Sequence, residues 1–171
     1  MDMTRAAYRD ELEKLRELER AAGPIFRELG MDAIAEGEPR STATLAAFQA
    51  AGRAWVVADD ADEPVAYLLV KVIDASAFIE QVSVHPRAAR QGLGRALIET
   101  AAAWARHRGL KALMLTTYRD VPWNRPYYER LGFQIVDDAH VTPALRRLRA
   151  QEAAAGLDRW PRVVMHRSLE R

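Results

Sequence analysis

The chain contains no cysteine. That excludes disulfides, thiolate zinc sites, iron–sulfur clusters and cysteine nucleophiles. Net charge is almost absent, with 25 basic residues against 24 acidic ones. Such a balance argues against strong non-specific binding to nucleic acid. No run approaches the ~18 apolar residues of a membrane span. The opening Met1-Asp2-Met3-Thr4-Arg5 has no apolar run behind it, so no signal peptide is expected and the expected location is the cytoplasm. No His-Glu-x-x-His or comparable ligand spacing occurs, so no metal is expected. The absence of Gly-x-Ser-x-Gly disfavours a serine hydrolase. Lysine is scarce too, with only Lys14, Lys71 and Lys111 among many arginines, which reads as compositional habit.

What remains is the composition of a soluble globular protein: 49% hydrophobic and 29% charged over 171 residues. A chain of this length buries about two-thirds of its unfolded surface, so it needs no staple. One domain over residues 1–171 is expected.

The pattern starts with helices. Leu12, Leu15, Leu18, Ala22, Ile25, Phe26 and Leu29 recur at three- and four-residue steps, with a break at Gly23-Pro24 and a short second helix ending near Gly30. Glu36 to Pro39 reads as a loop, and Ser41 or Thr42 caps a helix carrying Leu45 and Phe48. Strands follow at Trp55–Ala58, Val65–Ile73 and Phe78–Val84, an antiparallel meander. His85-Pro86 stops the third strand. A glycine-rich turn then opens a helix through Leu93, Leu97, Ala101 and Trp104, which ends at Gly109. Lys111–Thr117 is apolar enough for a buried parallel strand. Strand, helix and strand make a right-handed βαβ unit. A helix over 124–131, a strand over 133–136, a helix opened by Thr142-Pro143 and a strand over 162–167 complete the chain. The fold class is α/β (α+β) with a mixed sheet.

The chemistry concentrates in Val82-Ser83-Val84-His85-Pro86 through Gly92-Leu93-Gly94-Arg95-Ala96-Leu97. The first N–H groups of a helix have no partners within it, and with the helix dipole they form an anion site. Glycines let a phosphate approach the backbone, and Arg87, Arg90 and Arg95 add positive charge. The run therefore reads as a site for a phosphorylated ligand, or as a tight turn with no ligand. The dinucleotide fingerprint fails, because Leu97 stands where its third small residue belongs. The P-loop also fails, because Arg95-Ala96 replace its Lys and Ser or Thr.

The run from Phe78 to Val136 resembles the GNAT N-acetyltransferase superfamily. The resemblance rests on the Val-x-Val-His-Pro strand end, the Gly-Leu-Gly-Arg-Ala-Leu turn, the Leu113-Met114-Leu115-Thr116 strand and Asn124-Arg125-Pro126-Tyr127-Tyr128-Glu129-Arg130-Leu131-Gly132-Phe133. One position departs from the family pattern: Ala89 stands where Arg or Gln is common. The resemblance implies N-terminal helices, a meander, then βαβ, with acetyl-CoA at splayed central strands, between the one ending at Val84 and the one starting at Lys111. It implies that the backbone of Val82, Ser83 and Val84 pairs with the pantetheine arm. The N–H groups of Arg90, Gln91, Gly92, Leu93, Gly94 and Arg95 would hold the pyrophosphate. Asn124 would contact the cofactor arm, or simply cap a helix.

The implied reaction is direct acetyl transfer from the thioester to an amine. Tyr128 is the candidate acid for the leaving thiolate, and packing is its alternative role. Glu80 is the candidate base. On a strand among Phe78, Ile79 and Val82, its carboxylate is expected in an apolar setting that raises its pKa. Binding a cationic substrate, a solvent-facing place on the strand and a salt bridge to an arginine are its alternatives. Gln81 is expected on the opposite pleat from Glu80. His85 is expected to be structural. The expected acceptor is a small-molecule amine, with no nucleic acid or membrane partner, for a monomer or homodimer. The competing reading is a non-catalytic acyl-CoA sensor or interaction module on the same fold.

Overall fold

The computed structural model describes residues 3–170. The chain forms strand β1 (Met3–Ala6), helices α1 (Leu12–Ala22), α2 (Asp32–Ala35) and α3 (Thr42–Ala50), then strands β2 (Ala54–Ala58), β3 (Pro64–Ile73) and β4 (Ser76–Val84). Helix α4 (Leu93–His107), strand β5 (Ala112–Tyr118), helix α5 (Arg125–Arg130), strand β6 (Gln134–Val136), helix α6 (Pro143–Ala154) and strand β7 (Arg162–Ser168) follow. The seven strands form one mixed sheet in the order β1-β2-β3-β4-β5-β7-β6. Among the described residues no helix is long and apolar enough to cross a membrane.

The contacts divide the chain into two units. The first holds the residues up to Lys71 together with Ile79–Ala101, and the second holds Val72–Phe78 and everything from Ala102 onward.

In the first unit the amphipathic pattern of α1 is used as its spacing implies. Leu12, Leu15 and Leu18 are buried with Leu45 of α3 against Ala54 and Val56 of β2 and Tyr67 and Leu69 of β3. These are alternate residues of their strands, so one face of the sheet meets the helices. Ser41 caps α3, its hydroxyl accepting from the Thr44 N–H. The break after α1 is a 3-10 helix, Pro24–Leu29, ended by left-handed Gly30. Gly23 is fixed by a close approach, because a Cβ there would lie 2.8 Å from the Ala35 carbonyl oxygen. The single turn α2 is absent from the sequence-based expectation.

So is β1. The chain was expected to start with helices, but Met3–Ala6 first pairs antiparallel with Ala58–Trp55 of β2. Four residues, the outer two exposed, carry too little alternation to read as a strand. A charge pair fixes it in place. Arg5 grips Glu11, which is 4% exposed, with both Nη atoms at 2.8 and 3.0 Å, and Glu11 also accepts the Tyr8 N–H.

In the second unit β5 is central. It runs parallel to β4 from Ser76↔Ala112 to Phe78↔Met114, and antiparallel to β7 along its whole length. Helix α6, capped by Thr142, buries Leu145 and Leu148 against Phe78 and Val164. A polar staple lies beneath it: Glu152 accepts from Thr116 Oγ1 at 2.6 Å, from Arg149 at 2.7 Å and from Arg162 at 3.3 Å.

Leu15 is fully buried and Leu29 is 43% exposed. Leu15→Ala is therefore expected to lower unfolding free energy in urea by about 2–5 kcal/mol. Leu29→Ala is expected to change it by about 0.5 kcal/mol or less. Equal losses from the two would contradict this placement of the core.

Candidate functional site

The glycine turn has the geometry of an anion cradle. The first hydrogen bond of the α4 ladder runs from the Ala96 N–H to the Gly92 carbonyl at 3.0 Å. The N–H groups of Arg90, Gln91, Gly92, Leu93, Gly94 and Arg95 make no backbone hydrogen bond among the described residues. Gly92 adopts φ +75°, where a side chain is strained, and nothing crowds its Cα. Arg90, which does have a side chain, is also left-handed at φ 62°. An αL conformation there costs roughly 1–2 kcal/mol. Strain retained beside unsatisfied donors is common at ligand sites. Gly94 lies inside the helix and needs no positive φ.

The arginines of the turn divide. Arg87 pairs with Asp59 at 3.4 Å. Arg90 and Arg95 are exposed and make no ion pair among the described residues. Ala89, just before Arg90, is exposed and contributes no donor from its side chain. His85 is structural, as expected: it caps the 3-10 turn Pro86–Ala88, its Nδ1 accepting from the Arg87 N–H at 3.1 Å.

The apolar setting expected for Glu80 is not found, and its alternative, a salt bridge to an arginine, is. Its carboxylate lies between two cations, Oε1 at 3.2 Å from Arg40 Nη2 and Oε2 at 3.0 Å from Lys71 Nζ. The apolar surround inferred from its neighbours along the strand is replaced by cross-chain partners. The opposite-pleat expectation for Gln81 also fails, because Arg40 Nη1 donates to Gln81 Oε1 at 2.9 Å. Successive residues therefore converge on one guanidinium. Ser83 is buried and accepts from Gln81 Nε2 at 2.7 Å, so its side chain is turned into the protein. Val82 and Val84 are half-buried on the same strand.

Sequence reading missed Arg40, Glu19 and Lys71. Arg40 also bonds Glu19 of α1 at 3.0 Å. These residues come from α1, the α2–α3 connection and β3, up to 41 positions from their partners. Their side-chain types are common and no local motif marks them.

The remaining candidates are in the second unit. Asn124 precedes α5 and takes the N-cap place, yet its side chain makes no cap bond. The Tyr128 N–H bonds its backbone carbonyl instead, at 3.0 Å. The simple capping role therefore falls away, and the amide makes no hydrogen bond among the described residues. Tyr128 is 7% exposed and packs edge-on against Tyr127 and Phe133, with centroids 5.3 and 5.7 Å apart. Its ring is a core aromatic, and burial pushes the phenol's pKa above the ordinary value. Among the described residues no group of three or more histidines, aspartates or glutamates is placed to hold a metal.

Comparison with known proteins gives one family. The profile described as "Acetyltransferase (GNAT) family" matches residues 12–133. Solved structures share the fold. N-acetylglutamate synthase from Neisseria gonorrhoeae, solved with coenzyme A and N-acetyl-glutamate, has a TM-score of 0.74 at 18% identity, covering 100% of this chain and 36% of its own. A GNAT-family acetyltransferase from Staphylococcus aureus has a TM-score of 0.74 at 11% identity, covering 99% of this chain and 100% of its own. PaiA N-acetyltransferase from Thermoplasma acidophilum, solved with coenzyme A, has a TM-score of 0.70 at 16% identity, covering 98% of this chain and 99% of its own. At these identities the likeness is one of fold.

Burial raises the pKa of Tyr67, Tyr118 and Tyr128 above the ordinary 10.0. A raised native pKa means that the folded chain holds these protons more tightly. Their contribution to stability is complete below pH 10 and is lost as pH rises through the raised values. In an ultraviolet titration of the folded protein, the phenolate absorbance appearing around pH 10 should fall short of the five tyrosines present. The remainder should appear together with alkaline unfolding. Five equivalents titrating near the ordinary value in a folded sample would contradict the burial.

Proposed function

Since the chain belongs to the acetyltransferase (GNAT) family, we propose that it transfers an acetyl group from acetyl-CoA to a primary amine of a small-molecule acceptor. The observation that carries this reading is the set of six N–H groups, Arg90 to Arg95, that have no backbone partner among the described residues at the start of α4. They suit a pyrophosphate, and the free guanidiniums of Arg90 and Arg95 flank it. The backbone of Val82, Ser83 and Val84 takes the pantetheine arm in the manner of an added strand. Asn124, whose side chain makes no cap bond, is a further contact for that arm. Two of the neighbours were crystallised with coenzyme A, which makes it the first ligand to test.

Acetyl-CoA supplies an activated acyl carbon. The amine nitrogen forms a bond to that carbon, the carbon–sulfur bond breaks, the amine loses a proton and the thiolate gains one. Backbone N–H near Val84 stabilises the oxygen as it becomes negative. Tyr128 serves the thiolate. Burial keeps its phenol neutral at neutral pH, so its hydroxyl is present as a donor. A thiolate of pKa about 8.5 takes a hydrogen bond from such a phenol more readily than a whole proton. Glu80 serves the amine, but both of its oxygens are engaged. The proton therefore reaches it through water or after one ion pair opens. The reading takes the chain as one domain working in the cytoplasm, alone or as a homodimer, without a metal.

Thermal unfolding with acetyl-CoA, coenzyme A and NAD tests it. At 100 times its dissociation constant a ligand adds about 2.7 kcal/mol, a shift of several degrees. Shifts are expected with both CoA ligands and not with NAD. No shift with either CoA ligand in a folded sample would overturn the reading. A panel of amines should then release thiol from acetyl-CoA, with Tyr128→Phe slowing release on the order of 10²-fold. Binding without release by any amine would favour the non-catalytic sensor instead.

A further inference from the structure

Arg40 is held at more points than any side chain around it. Its N–H donates to Glu19 Oε2 at 3.1 Å, and its carbonyl accepts from Arg16 Nε at 3.0 Å. Its Nη1 donates to Glu19 Oε1 at 3.0 Å and to Gln81 Oε1 at 2.9 Å. Its Nη2 donates to Glu80 twice, to the backbone carbonyl and to Oε1, each at 3.2 Å. All of these groups belong to the first unit.

Two of these bonds are incompatible with a regular strand. Side chains of successive strand residues point to opposite faces, and a ladder carbonyl faces the neighbouring strand. Here Glu80 and Gln81 meet one guanidinium, and the Glu80 carbonyl is turned to it as well. The register agrees. Strands β3 and β4 are joined by the two-residue turn Asp74-Ala75, and plain antiparallel pairing from that turn sets Val84 opposite Val65. Instead the His85 N–H donates to the Val65 carbonyl at 2.9 Å. Strand β4 thus contains one residue more than the partner length it spans, which is a β-bulge.

We propose that Arg40 is the positioning residue of β4: its guanidinium holds the bulge at Glu80-Gln81 and aims the Glu80 carboxylate. The proposal rests on the reading of β4 as the strand along which acetyl transfer takes place. Helix α1 fixes Arg40 through Glu19 and Arg16, and Arg40 fixes the strand. The role requires a planar fork. Lysine keeps the charge, but the three N–H bonds of an ammonium cannot serve all four acceptors, Glu19 Oε1, Gln81 Oε1, the Glu80 carbonyl and Glu80 Oε1. Gln81 then carries the constraint to Ser83, next to Val82 and Val84.

The test is amide hydrogen exchange and ¹H–¹⁵N shifts by NMR on wild type, Arg40→Lys and Glu19→Gln, with calorimetric titration of coenzyme A into each. In Arg40→Lys, exchange at Gln81–Val84 should rise about 10-fold or more and those amide shifts should move. Amides of Val56 and Ile98, remote from the clasp, should stay within about twofold. Glu19→Gln, which loosens the anchor without touching β4, should give the same local pattern at smaller amplitude. Unchanged β4 exchange in Arg40→Lys would overturn the proposal. So would a uniform rise across the first unit, which would make Arg40 a general stabiliser. Coenzyme A binding by wild type reports separately on the acetyltransferase reading: its absence defeats that reading and leaves the exchange result to decide the role of Arg40 in the strand.

Discussion

A helix cannot satisfy its own first N–H groups, and α4 begins where no other backbone group among the described residues satisfies them either. That constraint organises the neighbouring residues. Strand β4 must stop, and His85-Pro86 stops it. The chain must then turn through conformations that side chains resist, which Gly92 adopts freely and Arg90 adopts under strain. The helix behind the turn must be held firmly, and Leu97, Ile98 and Ala101 are fully buried to hold it. In the proposed reading a phosphate would take these donors. Because they are backbone groups, the arrangement depends on glycine and chain direction more than on side-chain identity. This is why Ala89, a departure from the family pattern, leaves the cradle itself intact.

The second constraint is the bulge in β4. An extra strand residue turns a carbonyl out of the ladder, and a buried or half-buried carbonyl needs a donor. Arg40 supplies it, and in doing so joins α1 to the strand. The clasp contains Glu19, Arg40, Glu80 and Lys71, two charges of each sign. All are partly exposed, with side-chain exposures between 19% and 33%. Ion pairs in such a setting contribute modestly to stability. Their stronger effect is on geometry, because a fork with several acceptors tolerates few arrangements.

Much of the fold was legible because its signals are local. The apolar spacing of α1, the caps at Ser41 and Thr142, the Gly-Leu-Gly turn and the continuous apolar run of β5 each lie within a few neighbouring residues. Strand β1 was not legible, since it exists through its pairing with β2 and the Arg5–Glu11 contact. The candidate site divides in the same way. Its anion cradle is backbone built from a contiguous run, and reading along the chain finds it. The surroundings of Glu80 come from Arg40 and Lys71, and neighbours in sequence gave the wrong environment. The assumption that failed was strict alternation, which a single inserted residue breaks.

This division bears on how the protein would choose an acceptor. A cradle of N–H groups recognises phosphate wherever the turn is kept, so it can serve one cofactor across sequences that share little else. The clasp around Glu80 is made of side chains from α1, the α2–α3 connection and β3, none of them in the turn. An amine arriving at Glu80, as proposed, would meet a carboxylate already matched by two cations, not a free negative charge. A polycation gains little there, because every positive group it brings must displace Arg40 or Lys71 or stand beside them. An acceptor with one amine and an otherwise neutral or acidic body avoids that conflict. If Glu80 serves the amine as proposed, charge balance at the clasp would disfavour the cationic amines that an isolated glutamate attracts.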